Sequence, residues 1–159
     1  MLENMKPYIV KHDEMKLIGI PCIGLNEMGS KYRHAKEGLL SASKYLPNVV
    51  NRNVHYGVCP QTESQDNPET HAYLLCVEVD SFEGIPEWFF KTVLPQREYV
   101  AVANNEGNWD EAGSIIDRYV QEKGLKIGAG SALYIIGERY RYEEEGFARY
   151  APIVPGVSA

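Results

Sequence analysis

No stretch of this sequence holds the roughly 20 consecutive apolar residues that a membrane-spanning helix needs. The opening MLENMKPYIVKHDEM contains no uninterrupted apolar run of the kind an export signal uses. A soluble, cytoplasmic protein without membrane contact is therefore expected. Cysteine is scarce: Cys22, Cys59 and Cys76 are odd in number, lie far apart and have no C-x-x-C spacing. This argues against a disulfide framework and a zinc knuckle, and the three thiols read as small buried hydrophobes in a reducing compartment. His12, His34, His55 and His71 are scattered, without H-x-x-x-H or an acidic cluster at ligand spacing, so no metal is assigned and no cofactor is expected. There is no G-x-S-x-G and no Ser or Cys beside a plausible His partner. The glycines of GLKIGAGSA follow a helical pattern instead of opening one, which removes the phosphate cradle as well. Positive charge is in deficit, 16 Lys+Arg against 22 Asp+Glu for a net charge of -6, and no segment concentrates it. Direct contact with nucleic acid is excluded on that ground.

What is present fits one globular domain over residues 1–159, with 44% hydrophobic and 24% charged residues supplying both a core and a solvated surface. Helical periodicity runs through residues 30–46, where Ala35, Gly38, Leu39, Ala42 and Leu46 share one stripe. It recurs through residues 108–123, where Ala112, Ile115, Ile116, Tyr119 and Val120 do, with Asn108 or Asp110 as cap and Gly124 as stop. Strand patterns occupy residues 15–25, 54–59, 71–79, 88–94, 98–104, 132–141 and 147–154. The polar segment 60–70 reads as a long surface loop, the run Glu143-Glu144-Glu145 as a solvated hairpin turn, and residues 155–159 as a tail. The order strand, helix, strand, strand therefore appears twice. An α+β fold follows, in which duplicated units join into a longer antiparallel sheet with both helices on one face.

The stretch SALYIIGERYR, residues 131–141, holds the chemistry. As a strand it sends Leu133 and Ile135 to one face, and Tyr134, Ile136, Glu138 and Tyr140 to the other. Two readings stay open from the pattern. Either Glu138 sits among aromatic rings in a cavity, where poor solvation raises its pKa unless a cation compensates, or it is solvated and paired with an Arg on a neighbouring strand. Aromatic residues near element ends supply flat walls with polar handles: Tyr32, Tyr56, Tyr73, Trp88, Tyr99, Trp109 and Tyr140. Tyr99 and Trp88 also suit the core, and Trp109 suits equally a helix-start anchor and the rim of a central groove. If catalysis occurs, Glu138 orients or deprotonates water while a phenol such as that of Tyr140 polarises the group attacked.

The order of elements, HYGVCP at 55–60, AYLLCVEVD at 72–80, IPEWFFKTVLPQREYVAV at 85–102, EGNW at the second helix start and the ERY with ARYAPIV ending together resemble the GyrI-like small-molecule-binding domain. That family also forms the effector-binding module of AraC-type and MerR-type regulators. The resemblance implies paired strand-helix-strand-strand units around a central ligand groove. Glu138 matches the family's pocket glutamate, which recognises drug-like and often cationic ligands, and Trp109 matches its aromatic at the second helix start. Tyr140, Tyr134, Tyr32, Tyr56, Tyr73 and Trp88 complete the candidate ligand-binding set, with Glu138 and Tyr140 as candidate catalytic residues. Asn108 departs from the family, which often has Pro there, and the chain has no helix-turn-helix segment, so a stand-alone member is expected. Three functions are implied: binding or sequestering a small organic molecule, hydrolysis of electrophilic cyclopropanoid genotoxins, and protective contact with gyrase.

Overall fold

The computed structural model describes residues 3–60, 63–128, 134–140 and 146–154, the side chains of 63, 64 and 134–140 excepted. Eight strands and two helices follow one another as β1 (Pro7–His12), β2 (Met15–Ile23), α1 (Met28–Ser43), β3 (Val54–Pro60), β4 (Ala72–Val79), β5 (Phe90–Leu94), β6 (Arg97–Asn104), α2 (Trp109–Lys123), β7 (Tyr134–Tyr140) and β8 (Phe147–Pro152). A short 3-10 turn, Glu63–Asp66, punctuates the segment expected to be all loop. All strands form one sheet in the order β1-β6-β8-β7-β3-β4-β2-β5, with every neighbouring pair antiparallel.

This order is symmetric. Exchanging β1 with β5, β2 with β6, β3 with β7 and β4 with β8 reverses the sheet onto itself about the β7–β3 seam. The duplication expected from the order of elements is thus real, and it has a refinement. Each half receives its edge strand from the other, β1 pairing with β6 and β5 with β2.

The connections force the sheet to curl. In a flat sheet β1 and β2, first and seventh in the order, would lie six spacings or roughly 29 Å apart. Only Asp13 and Glu14 join them, and three Cα steps reach at most about 11 Å. Pro95 and Gln96 impose the same closure between β5 and β6, and the two turns touch where Gln96 Nε2 donates to Asp13 Oδ1 at 3.1 Å.

Side chains divide accordingly. On one face α1 packs chiefly on β2 and β4, burying Ile18, Ala35, Leu39, Leu75 and Val77. Beside it α2 packs on β6 and β8, burying Val100, Val102, Ala112, Ile116 and Ala151. Among the described residues, the opposite, helix-free face closes on itself in a single cluster drawn from β2, β3, β4, β5, β6 and β8, including Met15, Leu17, Tyr56, Cys76, Leu94, Tyr99 and Tyr150. Among the described residues no helix is long and apolar enough to cross a membrane.

The helix boundaries follow local chemistry. Asn108 Oδ1 accepts from the Glu111 amide at 3.0 Å, Asp110 and Glu111 favour the positive end of the helix dipole, and Gly124 ends the helix in a left-handed conformation at φ 65. Helix α1 begins two residues before the expected position 30, after Glu27 at φ 57, and has no side-chain cap there. At its other end Arg52 donates to the carbonyls of Ser43 and Leu46, both at 2.7 Å, where helix carbonyls lack partners.

Candidate functional site in the curled sheet

The helix-free face is built from alternate residues of each strand. One row crosses it through paired residues: Gly19 with Cys76, Cys76 with Tyr56, Tyr56 with position 138, position 138 with Ala148, and Ala148 with Ala103. Directly paired residues share a face in an antiparallel sheet. Position 138 therefore belongs, by register, to the face of Tyr56 and Ala148, inside the curl. Positions 134, 136 and 140 follow it, opposite Pro60, Val58 and Val54. How the side chains of Tyr134, Glu138 and Tyr140 are arranged lies outside the described residues.

At the mouth of the curl a cavity of about 230 Å³ is lined by residues 11–15 together with Tyr56 and Glu78. Three carboxylates, Asp13, Glu14 and Glu78, face it against the cation Lys11 and the imidazole of His12. The His12 ring lies 5.3 Å from the Tyr99 ring and 4.9 Å from the Tyr150 ring, and those two meet edge to face at 6.1 Å. Acidic side chains beside the aromatic rings of His12 and Tyr56 can attract a desolvated organic cation by both Coulombic and ring-face interactions. The volume is below the roughly 300–1,000 Å³ usual for drug-sized ligands.

The predicted aromatic set is split by the sheet. Tyr56 lines the mouth cavity. Tyr32 and Tyr73 lie on the α1 side, their rings 5.9 Å apart, with Tyr32 Oη 3.3 Å from Nε2 of the buried His55. Tyr73 is turned away because β4 sends Leu74 and Cys76 to the helix-free face, and its phenol crosses Gly57 in the space a β-carbon there would need. Trp109 lies on the α2 side, where its ring packs on Phe147 at 5.1 Å and beneath the Arg149 guanidinium at 4.3 Å. Arg149 Nη1 also donates to the Trp109 carbonyl at 2.9 Å. This position, at the start of α2, is on the opposite side of the sheet from the mouth cavity. Trp88 belongs neither to the core nor to the curl: it is 63% exposed and stacks on Phe89 at 4.0 Å in the segment before β5. Tyr99, by contrast, is fully buried.

Electrostatics argue against a thiol nucleophile. Burial pushes Cys76 up to about 12 and Cys59 up to about 11, the latter against a smaller opposing pull from Arg149, so both remain protonated at neutral pH. Burial also lowers the Arg149 pKa, countered first by Asp117. Among the described residues no group of three His, Cys, Asp or Glu is arranged to hold a metal.

Sequence reasoning missed His12, Met15, Glu78 and Tyr150. His12 was lost because the strand Pro7–His12 was read merely as lacking an apolar run. Its alternation of Tyr8, Val10 and His12 with Pro7, Ile9 and Lys11 was the available signal.

Several solved structures are similar in fold. The crystal structure of the EcmrR C-terminal domain superposes with a TM-score of 0.70 at 10% identity, over 94% of this chain and 98% of that one. In the EcmrR–DNA complex, this chain spans 57% of the EcmrR chain. SAV2435 bound to tetraphenylphosphonium gives a TM-score of 0.64 at 12% identity, covering 95% of each chain. A hydrolase from Listeria innocua gives 0.61 at 14% identity, over 96% of this chain and 94% of that one. No curated protein matches the chain. The sequence profile of Cass2, described as an integron-associated effector binding protein, matches residues 8–146. Together with the duplicated α+β fold, that match makes the chain a member of this family of effector-binding proteins.

Proposed function

We propose that this protein binds a small organic cation inside the curl of its sheet, with Glu138 as the inner acid and the mouth at residues 11–15 as the entrance. The observation carrying this reading is the register: position 138 pairs with Tyr56, which lines the acidic, aromatic mouth. Tyr140, Tyr134, Tyr150 and Tyr99 supply further wall in this reading. Membership in an effector-binding family and the likeness in fold to a protein bound to tetraphenylphosphonium support the ligand class.

The test is calorimetric titration with tetraphenylphosphonium. Glu138→Gln is expected to weaken binding at least tenfold, or about 1.4 kcal/mol, with the unfolding midpoint held. Equal affinity in wild type and variant would remove Glu138 from the site.

A second reading, hydrolysis of an activated cyclopropane, is favoured by Glu138 and Tyr140 standing two residues apart on one face of β7. Glu138 would take a proton from water as its oxygen bonds to a ring carbon. The ring C–C bond breaks, and its electron pair goes to the activated carbon, which is then protonated. Mass spectrometry of the probe after incubation decides: a hydrated product lost in Glu138→Gln supports hydrolysis, and unchanged probe leaves binding.

A further inference from the structure

We infer that His12 sets the charge selectivity of the mouth and makes cation capture depend on pH, acting as a built-in competitor for the carboxylates a ligand would use. The inference rests on the cation-binding reading above and adds its regulation.

The geometry is specific. His12 ends β1 at the turn that closes the curl, lines the mouth cavity, and is half-buried, with its Nδ1 shielded from solvent. Its ring is against the rings of Tyr99 and Tyr150 at 5.3 and 4.9 Å. The charged and titratable groups around it come from several elements. Lys11 and Asp13 flank it in the chain, Glu14, Tyr56 and Glu78 share the cavity, and Arg97 is its cross-strand partner in β6. Glu138 and Tyr140 occupy positions on the same face of β7.

An uncharged imidazole in this place is one more flat wall for an aromatic cation. A protonated one is itself an aromatic cation, already docked on two tyrosine rings and beside Asp13, Glu14 and Glu78. It then occupies the interactions that attract the ligand and repels it at short range. Imidazole is the side chain whose ordinary pKa, about 6.5, makes this exchange within the physiological range. The sign follows: capture is strong above the imidazole pKa and is lost as pH falls through it.

The experiment measures the affinity of wild type and His12→Gln for tetraphenylphosphonium at pH 8.0 and pH 5.5 by calorimetry. The expected result is a loss of about tenfold or more in wild type on acidification and a markedly smaller loss in His12→Gln. Protonation of the mouth carboxylates acts in both proteins, so the difference between them isolates His12. The coupling is reciprocal. In the wild-type protein, saturating tetraphenylphosphonium must lower the midpoint of the His12 ring titration, followed by NMR, by about one pH unit for each tenfold in affinity. The NMR titration also covers the case in which His12→Gln does not fold. An equal loss on acidification in both proteins, or a midpoint unmoved by the probe, overturns the inference while binding at pH 8.0 leaves the cation site standing. Absence of binding at both pH values overturns the cation reading itself and this inference with it.

Discussion

Gly57 illustrates how closely single residues are fitted on the helix-covered face. A β-carbon there would enter the Tyr73 phenol, and a ring wedged between strand and helix has little freedom to yield. Gly57→Ala is therefore expected to destabilise the fold by about 1–3 kcal/mol, measured by urea unfolding. Cys76 makes a second residue-scale prediction. Its thiol is pushed from the ordinary value near 9.0 up to about 12 by complete burial. The unfolded chain therefore releases a proton above pH 9 that the folded chain keeps, and stability falls as pH rises from 9 toward 12, by up to about 1.4 kcal/mol per unit. Denaturant midpoints taken at pH 8, 9, 10 and 11 should fall more steeply in wild type than in Cys76→Ala. The burial behind this effect was readable in advance, because scattered cysteines without metal spacing are usually core residues. The location of Trp109 was not, since an aromatic at a helix start fits either face until β8 is seen to send Phe147 and Arg149 toward the helix and Ala148 and Tyr150 away from it.

At the scale of elements, α2 is the best specified piece of the chain. Asn108 as cap, acids in the first turn, a four-spaced apolar stripe and Gly124 at the end agree with one another and with the structure. Asn108→Ala removes the acceptor for the Glu111 amide and should cost about 1 kcal/mol, seen as a lower melting temperature. Affinity for tetraphenylphosphonium should be unaffected, because α2 lies on the far side of the sheet from the proposed site. The first strand was illegible for an equally physical reason. Pro7–His12 is an edge strand whose partner, Arg97–Asn104, begins 85 residues further along the chain than His12. Its Pro, Lys and His residues dilute the apolar signal that periodicity detects.

For the whole molecule, the order of elements revealed the duplication, whereas the curl depends on facts that no local pattern contains. Two connections of two residues each tie distant strands together, and edge strands are exchanged between halves. The curl decides which predicted residues can meet. It brings Tyr56 and the acidic turn at Asp13 and Glu14 to one opening, with position 138 paired to Tyr56 in the sheet, and it leaves Tyr32, Tyr73 and Trp109 outside with the helices. The central claim is that the ligand lies on the helix-free face, and NMR mapping of side-chain shifts on titration with tetraphenylphosphonium tests it most directly. The account predicts changes concentrated at Met15, Tyr56, Ala148 and Tyr150. Changes confined to Tyr32, Tyr73 and Trp109 would contradict it.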